Sequence, residues 1–178
     1  MKKSPVNFLC ITIAAMTAIA LCACKNNEEA KDTAMKINKV YIASPFFNEE
    51  ELKNVEYVEQ ILDDKGLAYF SPMRSELSES NDGSKEWANA VFELDREEIK
   101  KADAVVAIYY GSEGDTGTAW ECGFAYSIGK PVILVHAYRD GNSNLMMHCS
   151  AYTNVYLDEL ADFDFDKMPI RAYEGKMF

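Results

Sequence analysis

The chain has 178 residues, 48% of them hydrophobic and 26% charged, which is enough for one globular domain with a sizeable core. Its 18 lysines and arginines face 29 aspartates and glutamates, so the formal net charge is −11. Because nucleic-acid binding needs clustered cations, this balance disfavours a nucleic-acid partner. It is compatible with a small substrate that is neutral or weakly cationic.

The N-terminal segment has the pattern of a bacterial lipoprotein signal. Lys2 and Lys3 form a basic start, and an uncharged apolar run follows from residue 8 to residue 23. The run is short for a membrane-spanning helix and is flanked like a secretory signal. It ends at Leu21-Cys-Ala-Cys24, which resembles a lipobox, a motif whose last cysteine becomes lipidated. The resemblance implies that Cys24 is the lipidated residue.

This pattern divides the chain into three parts. We expect a signal peptide over residues 1–23, a flexible tether over 24–37 and a folded domain over 38–178. The protein would then belong to the cell envelope and would meet the membrane only through its lipid. The alternative is a cytoplasmic protein whose translation starts at Met35, because the sequence that follows this residue also makes a sensible start.

The cysteines and histidines of the expected domain do not form a metal-binding pattern. Cys122 and Cys149 remain after the signal and the lipid site, and their spacing fits no zinc motif. His136 and His148 lack metal-ligand spacing to each other or to these cysteines. We therefore expect no metal and two buried thiols, with a disulfide as the alternative in an envelope protein.

Strand-like apolar runs alternate with helical spacing along the rest of the chain. Gly66 and Gly129 are placed to end two of the helices. The predicted elements, in chain order, are a strand at 39–44, a helix at 49–65, a strand at 67–71, a polar loop at 72–84, a helix at 85–101, a strand at 104–110, a loop at 111–117, a helix at 118–128, a strand at 131–136, a loop through Gly141 and Asn144, and a strand at 153–157.

This alternation predicts an α/β fold with a doubly wound, parallel, five-stranded sheet. The result is a flavodoxin-like or Rossmann-like three-layer sandwich, in which ligands bind beyond the carboxyl ends of the strands. Those ends lie at residues 44–47, 71–74, 110–118 and from 136 onward, and the polar candidate residues fall in or near them.

Glu121 is the first candidate for chemistry. It lies in the segment Gly114-Asp-Thr-Gly-Thr-Ala-Trp-Glu-Cys-Gly-Phe124, in about the first turn of the helix that follows the most apolar strand. A carboxylate there can serve as a nucleophile at the strand ends. The alternative is that Glu121 only stabilises the positive end of the helix dipole.

The loop before Glu121 favours a ligand site over simple helix stabilisation. Gly111, Gly114 and Gly117 would let the backbone approach a ligand closely. Asp115 adds a second carboxylate, which would repel a phosphate, and no phosphate-binding glycine motif is present. Gly123 predicts close packing within the helix, since glycine there costs about 1 kcal/mol relative to alanine.

Asp95 is the second candidate, because it follows Leu94 on the apolar flank of its helix. Partial burial would raise the pKa of its carboxyl, which suits a proton donor to a departing base. The alternative is a solvated charged face. Aromatic residues that could stack on a heterocycle, or could instead belong to the core, are Tyr41, Phe46, Phe47 and Trp120.

Taken together, these motifs resemble those of nucleoside 2-deoxyribosyltransferases. The match extends over about residues 38 to 175, and its most specific part is the segment around Glu121. The motifs that occur in the family's order are Val40-Tyr-Ile-Ala-Ser-Pro-Phe-Phe47, Asp95, Asp115-Thr-Gly-Thr-Ala-Trp-Glu-Cys-Gly-Phe124, Lys130-Pro-Val-Ile-Leu-Val135 and Asn144-Leu-Met146.

The resemblance implies a double displacement that moves the 2-deoxyribosyl group of a 2′-deoxynucleoside between nucleobases. Glu121 would attack the anomeric carbon and form a covalent glycosyl ester. Tyr41 would orient this nucleophile, and Asp95 would handle the proton of the base. The implied substrates are 2′-deoxynucleosides and free purine or pyrimidine bases, with no cofactor and no metal.

The resemblance also implies a substrate-binding set that two subunits share. Asp115 would help to hold the substrate, with Gly117 and Phe46 beside it. Asn144, followed by Met146, would be lent by a neighbouring subunit to the 5′-hydroxyl of the sugar. A homo-oligomer built from dimers, possibly a hexamer, is therefore implied.

Two other functions stay open. One is hydrolysis of 2′-deoxynucleosides or their 5′-monophosphates, although the related monophosphate hydrolases have a serine where Asp115 stands. The other is a lipid-anchored nucleoside-binding protein without activity. Arg74 and Glu76 are candidates for reading the base. In the family that the motifs resemble, the C-terminus closes the site with an aromatic residue and a free carboxylate, whereas here Glu-Gly-Lys-Met-Phe178 follows Tyr173.

Overall fold

The computed structural model describes residues 35–139 and 144–177. The strands are β1 (Lys39–Ala43), β2 (Ala68–Phe70), β3 (Ala104–Tyr109), β4 (Val132–His136) and β5 (Thr153–Tyr156). The helices are α1 (Glu49–Asp64), α2 (Glu76–Glu79), α3 (Lys85–Lys101), α4 (Thr116–Ser127) and α5 (Leu145–Ser150). Short 3-10 turns cover Pro72–Arg74, Gly111–Glu113 and Leu157–Asp162.

The five strands form one parallel sheet in the order β2-β1-β3-β4-β5. Along β1, Val40 and Ile42 enter the core under α1, while Tyr41 and Ala43 enter the core under α3, α4 and α5. This alternation buries both faces of the sheet, as a parallel sheet requires. The doubly wound three-layer sandwich predicted from the sequence is therefore confirmed.

The ends of two helices follow directly from glycine. Gly66 and Gly129 have positive φ values of 68° and 75°, a conformation that residues with a side chain rarely adopt. Each glycine follows the last turn of its helix, α1 and α4 respectively. The prediction that both residues end helices is confirmed.

The structure differs from the sequence prediction in two polar segments. Residues 72–84, expected as a loop, contain a 3-10 turn and α2, and α5 follows Asn144. Both helices are capped by their preceding residue: the Ser75 side chain accepts from the Ser78 amide, and the Asn144 side chain accepts from the Met146 amide. Such short capped turns lack the apolar period that reveals longer helices.

The start of the folded part also differs slightly from expectation. Ile37, assigned to the tether from sequence, is 3% exposed and belongs to the core under α1. The expected signal peptide, Cys24 and most of the tether lie outside the described residues. Within the described ranges, none of the helices is both long and apolar enough to cross a membrane.

Candidate active site

A cleft of about 370 Å³ opens beyond the carboxyl ends of β1 and β3. The chain leaves β1 toward β2 on one side and returns to β3 on the other, so this is the switch point where ligands bind in doubly wound sheets. The residues that line the cleft are Ser44, Pro45, Phe46, Phe47, Pro72, Ser75, Ser78, Asn81, Trp87, Val91, Asp95, Asp115, Gly117, Thr118 and Glu121.

Glu121 faces this cleft from the second turn of α4, not from its first turn as expected. Its Oε1 accepts a 2.5 Å hydrogen bond from the hydroxyl of Tyr41, whose ring is fully buried in β1. The helix N-terminus is capped instead by Asp115, whose carboxylate accepts from the Thr118 amide. Asp115, and not Glu121, is therefore the residue that caps α4.

The electrostatics of the cleft favour protonated carboxyls. Burial raises the pKa of Glu121 to about 8, with repulsion from Asp95 and Asp115 adding to the rise and the Tyr41 hydrogen bond opposing it. Burial likewise raises the pKa of Asp95 to about 6, again opposed by Tyr41. Burial and the neighbouring Glu121 carboxylate raise the pKa of Tyr41 far above its usual range, so the phenol stays a hydrogen-bond donor. Perturbed, interacting carboxyls in a cleft are typical of acid–base and nucleophilic chemistry.

Asp115 is held by a tight turn at the start of α4. Its Oδ2 accepts from the Thr118 amide at 2.7 Å and from the Thr118 hydroxyl at 3.2 Å. A Cβ at Gly117 would lie 2.8 Å from the same oxygen, so a side chain at this position would displace the carboxylate from where it now lies. Gly114 instead packs against the ring of Tyr109, and Gly111 adopts a φ of 66°. Of the three loop glycines, Gly117 alone lines the cleft.

The walls of the cleft combine apolar rings with small polar groups. Phe46 and Phe47 stack at 5.7 Å on one side, and Phe47 is 79% exposed. Trp87 stands on α3, where its Nε1 donates to the carbonyl of Leu77 at 2.7 Å. Ser75, Ser78 and Asn81 supply hydroxyl and amide groups from the segment that the sequence predicted as a loop. These last three residues were missed, because polar loop residues give no periodic signal.

Several residues proposed from the sequence lie away from the cleft. Trp120 is stacked on Phe124 on the outer surface of α4, and Arg74 is paired with Glu59 at 2.8 Å. Glu76 is exposed and does not line the cleft. Trp120, Arg74 and Glu76 therefore do not line this subunit's cleft, whereas Ser75 and Ser78 do.

Asn144 and Met146 line a separate groove of about 440 Å³ between α4 and α5. Met146 is 70% exposed there, and Tyr126, on the same groove, is 61% exposed. Gly123 also lines this groove, and a Cβ on it would meet no atom within 4 Å. The close packing predicted for Gly123 is thus wrong for the isolated subunit. Its backbone is open to the groove.

The cysteines and histidines lie outside the cleft. Cys122 is buried, but Cys149 is exposed, so the expectation of two buried thiols is wrong for the second, and neither forms a disulfide. His136 and His148 stack at 5.1 Å, and both hydrogen-bond to Oδ1 of Asn154. Across residues 35–139 and 144–177, no group of three or more metal-ligating side chains is found.

Comparisons with known proteins identify the family of this chain. The family model described as nucleoside 2-deoxyribosyltransferase matches residues 40–154. A nucleoside deoxyribosyltransferase of Lactobacillus johnsonii is 36% identical over 97 residues, which cover 53% of this chain and 64% of that protein. One from Lactobacillus leichmannii is 34% identical over 96 residues, 53% of this chain and 61% of that protein. The chain thus spans less than two thirds of the length of either relative.

Solved structures extend the match. The structure reported for a 2-deoxyribosyltransferase of Bacillus psychrosaccharolyticus has a TM-score of 0.70 and 43% identity, and covers 76% of this chain and 98% of that one. A CMP N-glycosidase of Clostridium botulinum, with a TM-score of 0.51 and 22% identity over 70% of this chain and 96% of that one, shares the fold. The resemblance found in the sequence motifs is confirmed, and the chain belongs to the nucleoside 2-deoxyribosyltransferase family.

Proposed function

We propose that this protein moves the 2-deoxyribosyl group of 2′-deoxynucleosides from one nucleobase to another, through a covalent ester with Glu121. One observation carries the proposal: the Glu121 carboxylate faces the cleft, is hydrogen-bonded by Tyr41, and shares the cleft with Asp95 and Asp115. A carboxylate nucleophile with a nearby carboxylic acid is the arrangement that cleaves glycosidic bonds with retention.

In the first half of the reaction, a Glu121 oxygen forms a bond to C1′ while the bond from C1′ to the base nitrogen breaks. The departing base takes the electron pair and a proton from Asp95. Because the pKa of Glu121 is about 8 and that of Asp95 about 6, the reactive form, with Glu121 ionised and Asp95 protonated, is the minor arrangement of the proton that the pair shares near neutrality. The Tyr41 hydroxyl stabilises the ionised form of Glu121, since its hydrogen bond lowers the pKa of that carboxyl. The second half reverses these steps with a new base as the acceptor.

The cleft favours a nucleoside with a free 5′-hydroxyl. Its lining residues include no lysine, arginine or histidine, and Asp115 would repel a phosphate. We assign Asp115 to a sugar hydroxyl, with Gly117 beneath it and Phe46 against the base. Hydrolysis of 5′-monophosphates is the second candidate function, but no cation of the cleft supports it.

A base-exchange assay tests the proposed function. The protein is incubated with 2′-deoxyinosine and adenine, with water as the competing acceptor. We expect deoxyadenosine and hypoxanthine in equal amounts. Hypoxanthine with free deoxyribose and no deoxyadenosine would show a hydrolase instead, and binding without either product would show an inactive nucleoside-binding protein.

We further propose that the active site is completed by a neighbouring subunit. Asn144 and Met146 do not line their own cleft, and they stand on an exposed apolar groove beside Tyr126. Exposed apolar surface of this kind is typical of subunit interfaces. An oligomer built from dimers would bring Asn144 of one subunit to the cleft of the next.

Mixing two inactive variants tests this sharing. Glu121→Gln and Asn144→Ala, refolded together in equal amounts, give mixed dimers in which one of the two clefts is intact. We expect the mixture to regain about a quarter of the wild-type activity if the subunits pair at random. Each variant refolded alone is the control, and a mixture as inactive as its components would show that clefts are not shared.

We also propose that the protein is anchored to the cell envelope through a lipid on Cys24, on the strength of the lipobox-like Leu21-Cys-Ala-Cys24. Incorporation of labelled palmitate that is lost in Cys24→Ser would support the anchor. Absence of the label from the wild-type protein would favour translation from Met35 and a cytoplasmic location.

A further inference from the structure

The cleft is acidic, and none of the described residues that line it is a lysine, an arginine or a histidine. Among the fifteen residues that line it, Asp95, Asp115 and Glu121 are the charged side chains, and all three are carboxylates. Repulsion between them contributes to the raised pKa of Glu121. A positively charged ligand would relieve this repulsion, whereas a neutral ligand would leave it in place.

Two arginines that flank the cleft are paired with glutamates. Arg74 lies 2.8 Å from Glu59, whose side chain is 7% exposed. Arg96 follows Asp95 in sequence, but its guanidinium lies 2.7 Å from Glu93 on the same helix. Neither guanidinium lines the cleft, so within the described residues of this subunit a cationic substrate would meet no competing positive charge there.

The apolar walls are aromatic. Phe46, Phe47 and Trp87 all line the cleft, and Phe47 is largely exposed to it. The faces of aromatic rings attract cations, and Trp does so most strongly. A planar heterocycle with a delocalised positive charge is therefore matched both by the walls and by the carboxylates.

The chemistry of the departing base also favours a cationic substrate. A neutral base departs as an anion unless it receives a proton, and Asp95 is the acid placed in the cleft to provide one. A base with a fixed positive charge departs as a neutral molecule and needs no proton. Such a substrate would use the nucleophile of the cleft without its acid.

We propose that the cleft also accepts 2′-deoxynucleosides whose base is N-alkylated and cationic, such as 7-methyl-2′-deoxyguanosine, and cleaves them without the acid Asp95. This inference rests on the proposed function of Glu121. The bond from a Glu121 oxygen to C1′ forms while the bond from C1′ to the base breaks. The electron pair goes to the ring nitrogen and cancels the positive charge, so 7-methylguanine leaves as a neutral molecule. Water or a second base then takes the deoxyribosyl group from the ester.

Single-turnover release of the base tests the proposal with matched substrates. The pairs are 2′-deoxyguanosine with its cationic 7-methyl derivative, and 2′-deoxycytidine with its cationic 3-methyl derivative. We use whichever pair has an unmethylated parent that the wild-type enzyme cleaves. We expect Asp95→Asn to slow release from the parent by about a hundredfold or more, but to slow release from the methylated partner by less than about threefold. Spontaneous loss of the methylated base is subtracted with enzyme-free and Glu121→Gln samples.

The outcomes separate this inference from the function on which it rests. Cleavage of a parent but not of its methylated partner, or equal losses on both in Asp95→Asn, would overturn the inference and leave the transferase intact. Cleavage of no parent nucleoside by the wild-type enzyme would overturn the proposed function, and this inference with it. Inhibition gives a second readout. 7-Methyl-2′-deoxyguanosine should compete at least about tenfold better than its neutral isostere 7-methyl-7-deaza-2′-deoxyguanosine, because only the first carries the charge.

Discussion

The hydroxyl of Tyr41 donates a 2.5 Å hydrogen bond to Oε1 of Glu121, across the interface between β1 and α4. The tyrosine ring is fully buried and stacks on Phe70 of the neighbouring strand at 5.8 Å, so its position is fixed by the sheet. The Glu121 carboxylate is thereby held by the core of the protein and directed into the cleft. A carboxylate held in a fixed position is what the proposed displacement at C1′ requires.

Tyr41→Phe removes this hydrogen bond while it keeps the ring and its packing. A hydrogen bond to a charged group is worth about 1.5–3 kcal/mol, so we expect kcat/KM to fall by roughly 10- to 150-fold. The Tyr41 bond lowers the pKa of both Glu121 and Asp95. Both limbs of the pH profile should therefore move to higher pH in the variant. Lost activity with an unshifted profile would point to a merely structural role for this tyrosine.

The pH dependence of the wild-type enzyme follows from the two carboxyls. Glu121 and Asp95 have pKa values raised to about 8 and about 6, so the pair holds one proton between these values. Between the two values the proton lies mainly on Glu121, and the reactive molecules are the fraction that hold it on Asp95 instead. Below about pH 6 both carboxyls are protonated and no ionised nucleophile is present, and above about pH 8 both are ionised and no acid is present. We expect a bell-shaped profile of kcat/KM with these limbs.

Asp95→Asn is the matched variant for this profile. It leaves Glu121 as the single titrating carboxyl of the pair, so the alkaline limb should disappear. The one remaining limb, on the acidic side, should follow the raised pKa of Glu121 and no longer lie near pH 6. An alkaline limb that persists in the variant would assign the acid to another group.

Glu121→Gln should make the fold more stable at alkaline pH. The pKa of this carboxyl is higher in the folded protein than its ordinary value of 4.5, so its ionisation destabilises the fold as pH rises from about 4.5 to about 8. At pH 8.5 we expect the variant to gain about 1–2 kcal/mol in the free energy of unfolding. At pH 4.5 the difference should be near zero, since the folded protein then holds a neutral glutamic acid. Urea unfolding at both pH values measures the difference in the free energy of unfolding between the variant and the wild-type protein. An equal gain in stability at both pH values would contradict the raised pKa of Glu121.

Asp115 has two roles that a pair of variants can separate. Asp115→Asn keeps a good helix cap but loses the charge, whereas Asp115→Ala loses both. We expect Asp115→Ala to lower the free energy of unfolding by about 1 kcal/mol and Asp115→Asn to leave it nearly unchanged. Both variants should raise KM for the nucleoside, since a sugar hydroxyl would lose its carboxylate acceptor. A KM that rises only in Asp115→Ala would mean that the cap alone matters to binding.

The sequence predicts most of this fold, because long helices and buried strands show a regular pattern of apolar residues. The helix over 85–101 and the buried third strand are visible in the spacing of apolar residues alone. The hydrogen bond between Tyr41 and Glu121 cannot be predicted from this spacing. The two residues are 80 positions apart, and the parallel pairing of β1 with β3 brings their elements together. The family resemblance predicts that Tyr41 orients Glu121, which the spacing of apolar residues does not.

Other features depend on three-dimensional context that no local pattern records. α2 is four residues long and contributes Ser78 to the cleft from a segment without periodicity. Gly123, expected to allow close packing, faces the open groove on α4. A glycine in a helix indicates that another segment can pack closely against it. It does not show whether that segment belongs to the same chain or to a neighbouring subunit.

The most direct test of the central claim is the rate of base exchange by Glu121→Gln, which retains an acceptor for the Tyr41 hydroxyl but cannot attack C1′. Deoxyadenosine formation from 2′-deoxyinosine and adenine is followed for the variant and for the wild-type protein at equal concentrations. We predict a loss of at least about a thousandfold, with the fold retained. Exchange by Glu121→Gln at the wild-type rate would contradict the assignment of Glu121 as the nucleophile.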